Sequence, residues 1–394
     1  MSVWAAVSGQ DDAVAELARA AADAQRLQVG EPGPAMTHAW LLTGPPGSGR
    51  SLAAGAFAAA LVCPAGGCGG CPACRTALTG AHPDVTLVRP EGTSLGVEEA
   101  RGLVARSAEA PAAGPWTVLL LEDADRLTDQ AANALLKALE EPSPRTVWVL
   151  CAPSAEDVLP TIRSRCRQVS LRTPSVGEVA RILAEAYGVD PAMAAFAARA
   201  SQGHIGRARA LASDERVRLR RQEVLRIPLG LRDLPSCFSA AADVLAAATE
   251  DAQALTDALD AREEADLRRA YGEGAEGVTP ARVKKLMSRP LKDLQDAQKR
   301  RRTRVVRDQV DRALVDLLGL YRDVLAVQVG ASVPLINEEM RPQITMLAAQ
   351  TGEPETARRL AALGRGRQAL RANVATLLAL ESTMVSLKDP ALGA

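Results

Sequence analysis

Gly44-Pro45-Pro46-Gly47-Ser48-Gly49-Arg50-Ser51 fits the phosphate-cradling pattern G-x-x-x-x-G-[K]-[ST] everywhere but at the lysine. Glycines let backbone N–H groups turn onto a phosphate, and a following helix N-terminus adds its dipole. The candidate ligands are Gly44, Gly47, Gly49, Arg50 and Ser51. Arg50 stands where a lysine would reach the β and γ phosphates as a compact charge. A guanidinium is a broader planar fork and does not fill that slot equally. Whether the loop still takes ATP with Mg²⁺ stays open, and an inert glycine-rich turn is the plain alternative. Downstream, Val118-Leu119-Leu120-Leu121-Glu122-Asp123 has the look of a buried strand ending in two acids, placed to serve a metal and a water, or merely to cap the next helix. Cys63, Cys68, Cys71 and Cys74 have the spacing of a closed thiolate site, which calls for structural Zn²⁺ with no open coordination position. Free thiols or a redox pair are the other possibility.

These residues need elements to hold them. Apolar positions recur at helical spacing over Asp11 to Gln28. Ala39 to Leu42 reads as a short strand feeding the glycine loop, and a helix is expected from Ser51 to about Val62. Val85 to Val88, Thr117 to Leu121, Thr146 to Cys151 and Val169 to Leu171 read as further strands. Helices are expected over Val97 to Ala108 and Asp129 to Glu140, the second stopped before Pro142. Continuous apolar runs bounded by turn signals are those of a parallel sheet covered on both faces. Strands alternating with helices make residues 1–171 a doubly wound α/β domain, with the cysteine insertion at 63–74. A small helical lid follows at 172–212. Residues 213–394 read as helices alone, interrupted most clearly at 272–280.

The chain has 394 residues, enough for two or three domains. Its 47 basic and 47 acidic residues cancel, so it carries no nucleic-acid-attracting field as a whole. Aromatics are 3%, so the cores must be aliphatic. No apolar run approaches a bilayer span, and the N-terminus lacks the pattern of a secretory signal; the cytoplasm is the expected compartment. A cysteine cluster in a reducing compartment suits metal rather than disulfides. The basic stretch Lys299, Arg300, Arg301, Arg302, Arg304, Arg307 could face DNA or a partner. Nearby Asp293, Asp296, Asp308 and Asp311 favour a solvated helix face. Leu314, Leu317, Leu318, Tyr321 and Leu325 form an apolar stripe for the domain's own core or for a neighbour.

Asn133-Ala134-Leu135-Leu136-Lys137-Ala138-Leu139-Glu140-Glu141-Pro142, the triplet Ser164-Arg165-Cys166 and the four-cysteine insertion resemble bacterial clamp-loader subunits of the AAA+ class. The altered phosphate loop and the Glu122-Asp123 order resemble the delta-prime family of DNA polymerase III. They do not resemble its gamma/tau relatives, which keep the lysine and an Asp-Glu order. Thr37 to Ser51 is similar to actinobacterial members. The resemblance covers residues 1 to about 212. It implies an AAA+ domain, a lid and a helical collar at 213–394 for oligomerisation. It also implies an arginine finger, Arg165, given to the neighbouring subunit, where such fingers speed phosphoryl transfer by roughly 10³–10⁵. Arg165 paired to a surface acid is the plainer reading. Gly203-His204-Ile205-Gly206-Arg207 resembles a second sensor, with Arg207 as the nucleotide contact; His204 reads as a surface or helix-capping residue.

In working AAA+ ATPases the metal-holding acid is aspartate and the water-polarising one glutamate. Here Glu122 is one methylene too long and Asp123 one too short, and misplacement of about 1 Å can cost ~10²-fold. Residues 151–154 also lack a polar sensor, and the first cysteine gap is shorter than the family's usual one. The expected role is a poorly hydrolysing stator that helps load a sliding clamp on primed DNA. Its implied partners are gamma/tau and delta subunits, with the clamp and DNA reached through the complex and no membrane. Enzyme status is left uncertain: intrinsic ATPase is not expected, and the chain would be an accessory of a DNA-directed DNA polymerase assembly. The alternatives are a self-sufficient gamma/tau-type ATPase and a zinc-bearing scaffold without a replication role.

Overall fold

The computed structural model describes residues 2–7, 9–90, 94–271 and 280–391. Five strands form one parallel sheet: β1 (Ala39–Thr43), β2 (Val85–Val88), β3 (Thr117–Leu121), β4 (Thr146–Ala152) and β5 (Arg167–Ser170), in the order β2-β3-β4-β1-β5. The first unit spans Met1–Pro90 and Ser94–Ser213. It holds the sheet and helices α1 (Asp11–Gln28), α2 (Arg50–Val62), α3 (Pro72–Leu78), α4 (Val97–Ser107), α5 (Asp129–Glu140), α6 (Pro160–Arg163), α7 (Val176–Tyr187), α8 (Pro191–Ser201) and α9 (Ile205–Ser213). The second unit, from Asp214, holds α10 (Glu215–Gly230), α11 (Leu234–Ala270), α12 (Pro280–Gln328), α13 (Arg341–Gln350), α14 (Glu353–Arg371) and α15 (Thr376–Lys388).

The strands are apolar throughout because both faces are covered. Trp40, Leu42, Val118, Leu120, Val147 and Val149 pack with Phe57 of α2. Leu41, Leu119, Leu121, Trp148 and Leu150 pack with Leu135 and Leu139 of α5. Trp40 meets Phe57 edge-on at 5.2 Å between centroids. Each such burial contributes on the order of 1.5–3 kcal/mol. Thr128 caps α5, its hydroxyl accepting from the Ala131 N–H at 3.2 Å, and Pro142 follows the helix end.

β3 and α5 occupy the expected residues, and β4 runs one further. β5 begins two residues earlier than expected. Its apolar signal was Val169 and Leu171, whereas Arg167 and Gln168 join the sheet by backbone pairing to Trp40 and Leu41 at an edge, where exposed polar side chains are tolerated. α3 lies inside the cysteine segment and was not expected. Seven residues are too few to show a period, but Cys71 caps it and Pro72 opens it.

In the second unit Leu314, Leu317 and Tyr321 sit in a core with residues of α11, α14 and α15, with Leu318 packed against it. These four residues of the stripe therefore serve the unit itself, while Leu325 is half-buried outside that core. The basic stretch is largely spoken for. Arg301 pairs with Asp260 and Glu263, Arg302 with Asp257 and Asp260, and Arg304 with Asp308. The acids that matter most come from α11, not only from the basic stretch's own helix. The break at 272–280 lies, but for Pro280, outside the described residues.

Candidate functional site

The glycine loop follows β1 at the carboxyl end of the sheet and opens α2, the position at which doubly wound folds take phosphates. Gly44 cannot be replaced freely. A Cβ there would lie 2.6 Å from the Leu171 carbonyl oxygen. Gly47 has φ +85°, and a Cβ would meet His204 Cγ at 2.3 Å. The lid thus rests directly on the loop through His204, whose Nδ1 accepts from the Arg207 N–H at 3.2 Å at the start of α9. His204 caps the helix, as the plainer reading had it, and also covers Gly47. Arg207 is half-buried on that first turn.

Gln10, which sequence reasoning passed over, ties three pieces together. It is 4% exposed. Its Nε2 donates to the carbonyls of Ser48 at 2.9 Å and Arg172 at 2.7 Å, and its Oε1 accepts from the Arg172 N–H at 3.1 Å. The loop and the residue entering the lid are fastened by one amide.

Arg50, Glu122 and Asp123 all act electrostatically on the buried thiol of Cys151, which burial pushes up to about 12. The three charges are therefore gathered around the end of β4. Two departures from an ATPase arrangement stand out. Glu122 is already taken: Arg89 Nε and Nη2 lie 2.8 and 3.2 Å from its two oxygens. Asp123 has φ +52°, a left-handed conformation uncommon for a non-glycine residue, and pairs with Arg126 at 3.7 Å. Asp125, next in line, has its carboxyl pushed up by burial and then by Asp123, opposed by Arg126 and Arg50. Its Oδ1 and Arg50 Nη1 are both buried without a hydrogen-bond partner. Arg89 could have been found only from the strand order. Val88 pairs with Leu121, so the residues after each strand are neighbours.

Cys63, at the end of α2, and Cys71, capping α3, come together with Cys68 and Cys74 so that all four Sγ lie within 4.8 Å of one another. Cys63 Sγ is 3.8 Å from Cys68 and 3.7 Å from Cys71. A tetrahedral Zn²⁺ with ~2.3 Å bonds requires sulfurs ~3.8 Å apart, so the cluster fits that ion. Backbone N–H groups of Gly69 and Cys74 donate to the sulfurs of Cys74 and Cys71 at 3.3 and 3.4 Å. Burial raises the Cys63 thiol, but N–H groups of Cys68, Gly67 and Ala65 outweigh it and leave it at about 6.

Arg165 sits apart from the loop, on the turn between α6 and β5. β5 is parallel to β1, with Arg167 opposite Trp40 and Ser170 opposite Thr43. Arg165 therefore lies at the amino end of the sheet and the glycine loop at its carboxyl end. At about 3.3 Å per residue they are roughly 15–20 Å apart along the strands. Nη1 of Arg165 donates to the Thr161 carbonyl at 2.7 Å and to Ser164 Oγ at 3.3 Å, and Nη2 pairs with Glu140. The plainer reading, an ion pair with an acid, is thus present.

Residues 24–175 match the family described as "DNA polymerase III, delta subunit". The DNA polymerase III subunit delta' of Pseudomonas aeruginosa is 40% identical over 163 residues, 40% of this chain and 50% of that protein. Over this stretch the chain is similar to DNA polymerase III delta-prime subunits. The Bacillus subtilis delta-prime protein is 35% identical over 135 residues, 34% of this chain and 41% of that one. A gamma/tau subunit of Mycobacterium tuberculosis is 33% identical over 174 residues, 43% of this chain and 28% of its own. The chain spans about half the length, or less, of the curated relatives it matches. A solved gamma subunit-related DNA polymerase III protein of Thermotoga maritima aligns over 89% of this chain and 93% of its own, at 16% identity and a TM-score of 0.40. Residues 24–175, the stretch matched by the family model, include the glycine loop, the cysteine cluster, Glu122, Asp123 and Arg165. Among the described residues no helix is long and apolar enough to cross a membrane.

Proposed function

We propose that this chain is the delta-prime subunit of a bacterial clamp loader, acting in DNA replication as a stator that lends Arg165 to a neighbour's ATP site. The observation that carries this is topological. Arg165 and the chain's own glycine loop lie at opposite ends of one parallel sheet, so Arg165 serves a phosphate outside its own subunit or none. Its own site is poorly equipped for turnover: Arg50 replaces the lysine, Arg89 occupies Glu122, and Asp123 is paired to Arg126. That argues against a self-sufficient gamma/tau-type ATPase. Gly44, Gly47, Gly49, Arg50, Ser51, Glu122, Asp123 and Arg207 are then remnants of a nucleotide site.

In this reading residues 1–171 are the AAA+ domain, 172–212 the lid and 213–394 the collar. The gamma/tau and delta subunits are the neighbours, and the clamp and primed DNA are reached through the assembly in the cytoplasm. Cys63, Cys68, Cys71 and Cys74 hold a structural Zn²⁺ that joins α2 to α3. The deciding experiment is the clamp- and primed-DNA-stimulated ATPase of the reconstituted loader with Arg165→Ala. Loss of one site's share of turnover with assembly intact supports the reading, and unchanged turnover removes it.

A further inference from the structure

We infer that Glu140 is the positioning residue of Arg165, an inference that rests on the finger role proposed above. Three acceptors hold this guanidinium, and they come from two elements. Thr161 and Ser164 belong to its own turn. Glu140 is the last residue of α5, 25 positions away in sequence. Nη1 spends both hydrogens on the Thr161 carbonyl and Ser164 Oγ, and Nη2 spends one on Glu140. Nε is buried with no hydrogen-bond partner. With Nε buried, the donor left over is the second hydrogen of Nη2, the nitrogen that pairs with Glu140.

Stability does not account for the pair. The side chains are 32% and 47% exposed, and exposed ion pairs contribute little to folding. A carboxylate at a helix C-terminus is also disfavoured by the helix dipole, so Glu140 gains from a cation there. What the pair does achieve is orientation. A free arginine loses much rotamer freedom on meeting a phosphate, whereas one already fixed from two sides loses less. Glu140 acts through Arg165 and does not itself touch the nucleotide.

The test uses the loader reconstituted with its cognate subunits, assembly checked by gel filtration. Turnover and its nucleotide dependence are compared for the wild type, Arg165→Ala, Glu140→Ala, Glu140→Gln and the double alanine variant. Glu140→Ala should remove roughly two-thirds to nine-tenths of the turnover that Arg165→Ala removes, as a three- to tenfold drop at one site, through kcat and not KM. Glu140→Gln, which keeps an acceptor, should lose less. In the Arg165→Ala background Glu140→Ala should add nothing. The inference is overturned if Glu140→Ala lowers turnover equally in both backgrounds, or if it has no effect while Arg165→Ala does. No effect of Arg165→Ala itself would instead remove the finger reading beneath it.

Discussion

Arg89 grips Glu122 through a fork, Nε to one carboxylate oxygen at 2.8 Å and Nη2 to the other at 3.2 Å. The acid that ends the buried strand already has a cation, and that cation is part of the chain. A divalent metal would have to displace a charge-assisted, bidentate partner. The isolated first unit should therefore gain nothing from Mg²⁺ in the presence of ATP. A ligand at 100 times its dissociation constant stabilises by ~2.7 kcal/mol, which is ~5–10 °C for a unit of this size. Thermal melts with ATP should be the same with Mg²⁺ as with a chelator. A Mg²⁺-dependent rise of several degrees would mean that Glu122 is released from Arg89 to bind the metal.

Asp84, 4% exposed, accepts from the N–H groups of Ala112, Ala113 and Gly114, and so fixes the turn leading into β3. Burial raises its carboxyl, but those three donors outweigh burial and hold it below its usual 3.8. A depressed carboxylate stabilises the fold above its unfolded pKa and loses that contribution as pH falls through the lower folded value. Asp84→Asn should lower stability at neutral pH by ~1.5–3 kcal/mol, because an amide N–H₂ faces donors. The difference from wild type should close below about pH 3.8. Urea melts across pH 2.5 to 7 measure both limbs. A constant difference would show that the charge on Asp84 is irrelevant.

The four-cysteine cluster predicts one bound Zn²⁺ per chain, measurable by elemental analysis of protein purified without chelator. Cys74→Ser should lose it and weaken the end of α2 and all of α3, since Cys74 is fully buried between them. Substituted Co²⁺ should give the visible absorption of tetrahedral thiolate coordination. Metal-free protein of undiminished stability would leave the cluster as four thiols.

Much of this was legible in the sequence for physical reasons, and the remainder was not for reasons equally physical. Thr117–Leu121 could be read as a buried strand because both sheet faces are covered, so no alternation was needed. The end of Asp129–Glu140 could be set by Pro142, whereas its Thr128 cap emerged only with the structure. The cysteines announced themselves by spacing, because a small ion demands four sulfurs close together. The Arg89–Glu122 and Arg165–Glu140 pairs could not be read. They join residues 33 and 25 apart whose neighbourhood depends on strand order and on where α5 ends. Likewise, the acids that neutralise Arg301 and Arg302 come from the antiparallel partner helix, not from the local stretch that drew the eye.

Gln10 was the least visible, since one amide before a helix carries no pattern, yet its three hydrogen bonds fasten the glycine loop to the start of the lid. Gln10→Ala leaves the Arg172 N–H and the Ser48 and Arg172 carbonyls short of a partner in a buried place. Each unsatisfied group costs ~1–3 kcal/mol, less where water enters, so a loss of about 2–4 kcal/mol is expected. The damage should be local. Amide exchange should quicken in residues 172–213 and around Ser48, while α11, α12, α14 and α15 of the second unit stay as protected as before. If the lid is a rigid part of a stator, the same substitution should also lower loader turnover without lowering assembly. Unchanged protection of 172–213 would show that His204 against Gly47, and not Gln10, holds the lid down.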